Sequence, residues 1–191
     1  MFRRGLLSGG RIAVASSLSA TIVAELARLG ASIEAMPDLC AADEPLLDGW
    51  VAERLPLGAL VFDAGSSFRS GGEQGLQTAL GHAWSSARAV ATVALIPAED
   101  SGRLLFVAPR ADSGPLADAA RAALENLART LSVEWARFTV TAVAIWPGAR
   151  SSDEQLAALL GFLLSDAGAY FSGCCFELGA VDAERAFIPA S

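Results

Sequence analysis

Apolar positions along this chain come in short blocks that switch between two periods. "RIAVA" (11–15) is a compact apolar run of strand type. "SATIVAELARLG" (19–30) has helical spacing, with Ile22, Leu26 and Leu29 on one face and Gly30 to close the helix. "ASIEAM" (31–36) predicts a second strand. "EPLLDGWVAERL" (44–55) predicts a helix with Pro45 near its start, and "LGALVFDAG" (57–65) a third strand ending in a turn. "SSFRSGGEQG" (66–75) reads as a Gly/Ser-rich loop. A long helix follows over 76–98, with Leu76, Leu80, Ala83, Trp84, Ala87 and Ala91 along one stripe. "GRLLFVAP" (102–109) is a fourth strand, "ADAARAALENLARTLSVEWARF" (117–138) a helix, and "FTVTAVAIWPG" (138–148) a fifth strand stopped by Pro-Gly. "SDEQLAALLGFLLSD" (152–166) is a helix with a Ser cap and acids in its first turn, "GCCFELGAV" (173–181) a sixth strand, and "DAERAFIPAS" a short tail.

Six strands alternating with five helices predict an α/β, Rossmann-like three-layer fold: a mostly parallel sheet with helices on both faces. Ligands of such sheets bind outside the carboxyl ends of the strands, where strand order reverses. No linker or internal repeat divides the chain, so residues 1–191 are expected to form one domain.

Composition narrows the class. With 53% hydrophobic and 18% charged residues the chain is not a disordered one. Its mean hydropathy of +0.43 is high for a soluble monomer, which leaves a membrane or an association surface to absorb apolar area. The longest apolar run, "AVATVALIPA" (89–98), is too short to span a bilayer. Gly9, Gly10 and Arg11 interrupt the start of the chain, so no secretion signal is read there. The expectation is a soluble, cytoplasmic protein that associates with itself or a partner.

The net charge of −7 comes from 14 basic and 21 acidic residues, without a basic patch, which argues against nucleic acid. All 14 basic residues are Arg, so no site can use a lysine amine. Tyr170 is the single Tyr and His82 the single His. Cys40, Cys174 and Cys175 read as reduced thiols, the adjacent pair lying on opposite faces of a strand. No Cys or His spacing points to a metal.

Four stretches resemble the short-chain dehydrogenase/reductase family, in the family's order. "LARLGASI" (26–33) is similar to the end of its first helix and start of its second strand. "LVFDAG" (60–65) is similar to its Asn-Asn-Ala-Gly turn. "ARAALENLARTLSVEWARFTVTAVAIWPG" (120–148) resembles its active-site helix, next strand and Pro-Gly. "FLLSDAGAYFSGCCFEL" (162–178) resembles its "FLxSDxAxYxTG" segment. The resemblance implies a dinucleotide-binding fold and hydride-transfer chemistry run by an Asn-Ser-Tyr-Lys tetrad, in which Tyr donates a proton and Lys lowers its pKa.

Those slots are filled by other residues. The Asn slot falls on Trp84, the Ser slot on Ala108 or Pro109 with Ser113 nearby, the Tyr slot on Ala117 and the Lys slot on Arg121. A methyl group donates no proton, and Arg does not shuttle one at neutral pH. Tyr170 lies in the C-terminal segment, away from the slot. His82, two residues before Trp84, is expected on a surface or interface. The family's Gly-rich first turn, which lets a pyrophosphate approach the backbone, corresponds to "VASSLSATIV" (14–23), which has no Gly. Ser16 and Ser17 stand there, and Ser17 or Ser19 is expected to cap the following helix.

What would remain for NAD(P) is Ser16, Ser17, Asp38 near the ribose position, Asp63, Ala64 and Gly65 in the turn, and Pro147 and Gly148. The reading therefore favours no cofactor, with NAD(P) the one to test. The spacing 36–57 leaves no room for one central strand of the usual fold. After Gly148 the family's lid helices are missing.

The Ala-rich helix 117–137 (Ala117, Ala119, Ala120, Ala122, Ala123, Ala128) has a Leu124, Leu127, Leu131 stripe suited to its own sheet. A second apolar side, including Val133 and Ala136, is left for a partner. The expected function is that of a catalytically silent dehydrogenase-like subunit in a homo-oligomer, or in a hetero-oligomer with an active relative whose pocket the tail "VDAERAFIPAS" would shape. The alternatives are an NAD(P)-dependent oxidoreductase with an atypical site, and a nucleotide or small-molecule sensor.

Overall fold

The six apolar runs form six parallel strands in one sheet. The computed structural model describes residues 5–37, 44–69 and 71–179. The strands are β1 (Arg11–Ala15), β2 (Ser32–Ala35), β3 (Ala59–Asp63), β4 (Gly102–Val107), β5 (Val140–Pro147) and β6 (Cys175–Leu178). Their order across the sheet is β2-β1-β3-β4-β5-β6. Every pair is parallel, with Val14 beside Val61 and Phe62 beside Phe106 in register. Parallel strands buried on both faces read as near-continuous apolar runs, which is why β4 is buried throughout.

Helices cover both faces. α1 (Ala20–Arg28) and α7 (Asp153–Leu164) pack on one side, where Ile12, Val14, Val61, Leu105, Val107 and Ile145 face them. The other side carries α2 (Glu44–Ala52), the short α3 (Ala64–Ser67), α4 (Gly72–Val90) and α6 (Ala117–Glu134), packed on Leu60, Phe62, Leu104, Phe106, Ala142 and Ala144. Each fully buried Leu, Ile or Phe contributes about 1.5–3 kcal/mol relative to exposure.

Local chemistry sets the helix ends. Ser19 caps α1 through the Ile22 N–H, which selects it over Ser17. Gly30, at φ +101°, closes α1 with paired bonds from its own N–H to Ala27 O and from Ala31 N–H to Leu26 O, the two-bond signature of a left-handed glycine cap. Ser152 and Gln155 form a reciprocal capping box at α7. α4 passes through a π-helical turn (Ala91–Leu95) into one last turn, α5 (Ile96–Ala98). Pro97 lacks an N–H and crowds the preceding carbonyls, which explains that irregularity.

The structure corrects four expectations. Among the described residues no strand lies outside β2, where the common doubly wound order places its third strand, so the strand that is missing there is an edge strand and not a central one. The Gly/Ser-rich stretch 66–75 is mostly helical, split between α3 and an α4 that starts at Gly72. Trp84 leaves the core stripe of α4, which is Ala79, Ala83, Ala87 and Val90, and stands 44% exposed. Leu127 is only partly buried, so the sheet-facing stripe of α6 is Ala117, Ala120, Leu124, Ala128 and Leu131. Among the described residues no helix is long and apolar enough to cross a membrane.

Candidate functional site

The carboxyl ends of β1, β3, β4, β5 and β6 open onto one edge of the sheet. After β1 the chain must turn sharply into α1. Ser16 takes that turn at φ +66°, a left-handed conformation that ordinarily favours glycine. Its Oγ lies 2.8 Å from Ser67 Oγ, and Ser66 Oγ accepts from the Ser17 N–H at 3.4 Å. The turn after β1 is thus laced to α3 by four serines. In front of it lies a crevice of about 740 Å³, lined by Ser16, Ser17, Ser66, Arg69, Thr78 and His82 among others. His82 therefore faces the strand-end crevice. It is half-buried at that open surface, because α4 turns its 78 and 82 positions toward β1.

At the end of β3, Asp63 caps α3, its Oδ1 accepting from the Gly65 N–H at 2.8 Å, with Ala64 fully buried behind it. Burial pushes the Asp63 carboxyl up to about 6; the Gly65 bond and Arg110 pull it down, and Asp153 pushes it up further.

The ends of β4 and β5 are bound together by two arginines. Arg121 is buried on α6, and its Nη1 donates to Pro147 O at 3.0 Å and Pro109 O at 3.4 Å. Its guanidinium sits 4.9 Å from the centre of the Trp146 ring, whose Nε1 donates back to Arg121 O at 3.2 Å. Arg110 Nη1 donates to Gly148 O at 2.9 Å and Ser151 O at 2.7 Å, and its Nη2 lies 3.6 Å from Asp153 Oδ1.

Gly148 is required sterically, since a Cβ there would meet Leu178 O at 2.8 Å. Its N–H is shared between Leu178 O and Ser151 Oγ, which fastens this loop to β6. From Pro147 the chain needs only residues 148–152 to reach α7.

The sequence-derived slots separate into two groups. Pro109, Ala117, Arg121, Pro147 and Gly148 do come together, at the ends of β4 and β5. Ala117 is 2% exposed and offers only a methyl group, and Ala108 is equally buried. Ser113 lies in an exposed turn, its N–H on Arg110 O. Trp84 does not join them. It stands on the outward side of α4, against Leu80, Ala123, Asn126, Leu127 and Thr130.

Tyr170 is 90% exposed in the turn after α7, whose Ser165 and Asp166 border the amino ends of the strands. Asp38, Cys40 and the tail "VDAERAFIPAS" lie outside the described residues. Cys174 and Cys175 pack on opposite faces of the sheet, and burial pushes the Cys175 thiol up to about 12, so it stays protonated. No cluster of potential metal ligands occurs among the described residues.

Arg110 was not among the expected site residues, although an Arg directly after the strand-ending Pro109 was its signal. Neither were Arg69, Thr78 and the serine lacing.

No protein-family model and no curated protein sequence matches the chain. Solved structures do. A citronellol catabolism dehydrogenase from Pseudomonas aeruginosa PAO1 is 26% identical, with a TM-score of 0.75 over 94% of this chain and 98% of its own. A protein assigned as an NAD(P)-dependent gluconate 5-dehydrogenase from Beutenbergia cavernae, solved with NADP at low occupancy, is 21% identical, with a TM-score of 0.71 over 90% and 95%. The NADH enoyl-[acyl-carrier-protein] reductase of Aquifex aeolicus VF5 is 16% identical, with a TM-score of 0.75 over 96% and 100%.

Proposed function

The solved structures that this chain resembles are short-chain dehydrogenases/reductases and it shares their fold; from that premise we propose that it is a subunit without hydride-transfer chemistry that acts through assembly. One observation carries this reading. At the position where the family resemblance calls for a proton donor and its lysine, Ala117 presents a buried methyl and Arg121 spends its guanidinium on Pro109 O and Pro147 O. No lysine occurs anywhere in the chain, and the lone tyrosine is at the other end of the sheet. A permanently charged Arg whose donors point at backbone carbonyls holds two strand ends together and moves no proton.

Assembly is supported by the outward sides of α4 and α6. Trp84 and Val133 are 44% and 75% exposed, and Trp84 borders an apolar groove with Leu80 and Leu127. The partner is a second copy of the chain or an intact relative that carries the chemistry. Two measurements test the proposal. Turnover of carbonyl or alcohol substrates with NADH or NADPH stays at the buffer background. Trp84→Glu lowers the oligomeric mass in sedimentation without changing the circular dichroism. Turnover by the purified chain, or an unchanged mass, refutes it.

A second reading, a sensor of nucleotides or other small molecules, is favoured by the crevice of about 740 Å³ with its serines, Arg69 and His82. A thermal shift with NAD(P) or a nucleotide in the absence of turnover selects that reading; no shift with any of them removes it.

A further inference from the structure

The amino ends of the strands carry a second cavity, of about 440 Å³, on the opposite edge of the sheet from the crevice described above. It is bordered by Ser8, Gly10, Arg11, Ser101, Arg103 and Ser165. Arg103 is the unusual member. It is the second residue of β4, on the sheet face that otherwise presents Leu105 and Val107, and it is 8% exposed. Among the described residues its Nε has no hydrogen-bond partner and no ion pair includes it. Arg11, by contrast, is held by Glu34 and Leu55 O.

A buried cation with an empty donor is unfavourable unless something satisfies it. The charged groups facing it from the neighbouring elements are Arg11 on β1, Asp100 ahead of β4 and Asp166 after α7. Both acids are exposed. Asp100 already accepts from the Ser101 N–H at 2.7 Å.

We propose that Arg103 forms the floor of a binding site for the oxyanion group of a small molecule, a phosphate ester or a carboxylate, at the amino edge of the sheet. The planar guanidinium fork matches either anion with paired hydrogen bonds. The hydroxyls of Ser8 and Ser101 stand at the same cavity to take the remaining oxygens. The site is independent of the strand-end crevice and of the assembly proposal, since none of its residues belongs to either.

The test uses the full chain with inorganic phosphate and with acetate, against chloride at equal ionic strength. Nitrogen-15 spectra follow the Arg103 Nε–Hε cross-peak together with the Gly10 and Ser101 amides. The expected result is saturable movement of these signals in one or both anions, and affinity at least tenfold weaker in Arg103→Gln, with the anion that binds more tightly naming the ligand class. Arg103→Lys, which keeps the charge and loses the fork, is expected to weaken binding by a smaller factor and covers the case in which the Gln variant does not fold. Signals that respond equally to chloride overturn the proposal, as does movement confined to Ser16, Ser17 and Leu18. Arg103 is then a structural counter-charge to the end of α7.

Discussion

Asp63 ends β3 with its carboxyl turned back onto the Gly65 N–H at the start of α3, and its environment makes a testable demand on stability. Burial holds its carboxyl at about 6 against an ordinary 3.8. In the unfolded chain the group returns to the ordinary range. Between about pH 4 and pH 6 the folded protein therefore holds a proton that the unfolded chain has released. Stability falls as pH rises through that window and stays at the lower level above it. A raised pKa of roughly two units at about 1.36 kcal/mol each makes the loss about 3 kcal/mol. Asp63→Asn removes the titration and keeps an oxygen for the Gly65 N–H.

The assay is urea denaturation of both proteins at about pH 4, 5, 6 and 7.5, read as the difference between them, so that all other titrating groups cancel. The variant is expected to match the parent near pH 4 and to exceed it by about 2–3 kcal/mol near pH 7.5. A difference that is flat across the range refutes the reasoning. So does a parent that is the more stable at pH 7.5, because the ionised carboxylate is then favoured as a helix cap.

Arg121→Met removes the Nη1 donor that the Pro109 and Pro147 carbonyls share and is expected to cost about 2–4 kcal/mol in urea denaturation, with Arg121→Lys losing less. Leu116 stands half-exposed at φ +65° ahead of α6, so Leu116→Gly should raise stability by about 1 kcal/mol, read as an increase in Tm. Gly168 packs against the Leu163 backbone so closely that a Cβ has no room, and Gly168→Ala is expected to destabilise by about 3 kcal/mol, with β6 amides losing exchange protection first.

The architecture was legible because parallel strands buried on both faces leave continuous apolar runs, and the runs at 11–15, 57–65 and 102–109 could be placed from that alone. The ends of helices were legible where capping chemistry is local, as at Gly30 and Ser152. The start of α4 was not, because Gly71 and Gly72 read as loop residues although the helix begins there, with Gly71 O accepting from the Gly75 N–H.

Within the site, the vacancy at Ala117 and the substitution at Arg121 could be read from residue identity. What Arg121 does instead could not, since its acceptors are backbone carbonyls of residues 12 and 26 positions away. The outward position of Trp84 was hidden for a related reason: its spacing from Leu80 and Ala87 fits the buried stripe, and only the packing of α4 on the sheet shows that the stripe runs through Ala83 instead. The buried Arg103 left no pattern at all, because one charged residue at the start of an apolar strand reads as a strand end.

The central claim is that this fold is kept for assembly and not for hydride transfer. Native mass spectrometry of the full chain in an excess of NADH or NADPH tests it most directly. The expected result is a dimer or larger oligomer, alone or with an intact relative as partner, with no dinucleotide bound to this chain. A monomer carrying one dinucleotide per chain would contradict it.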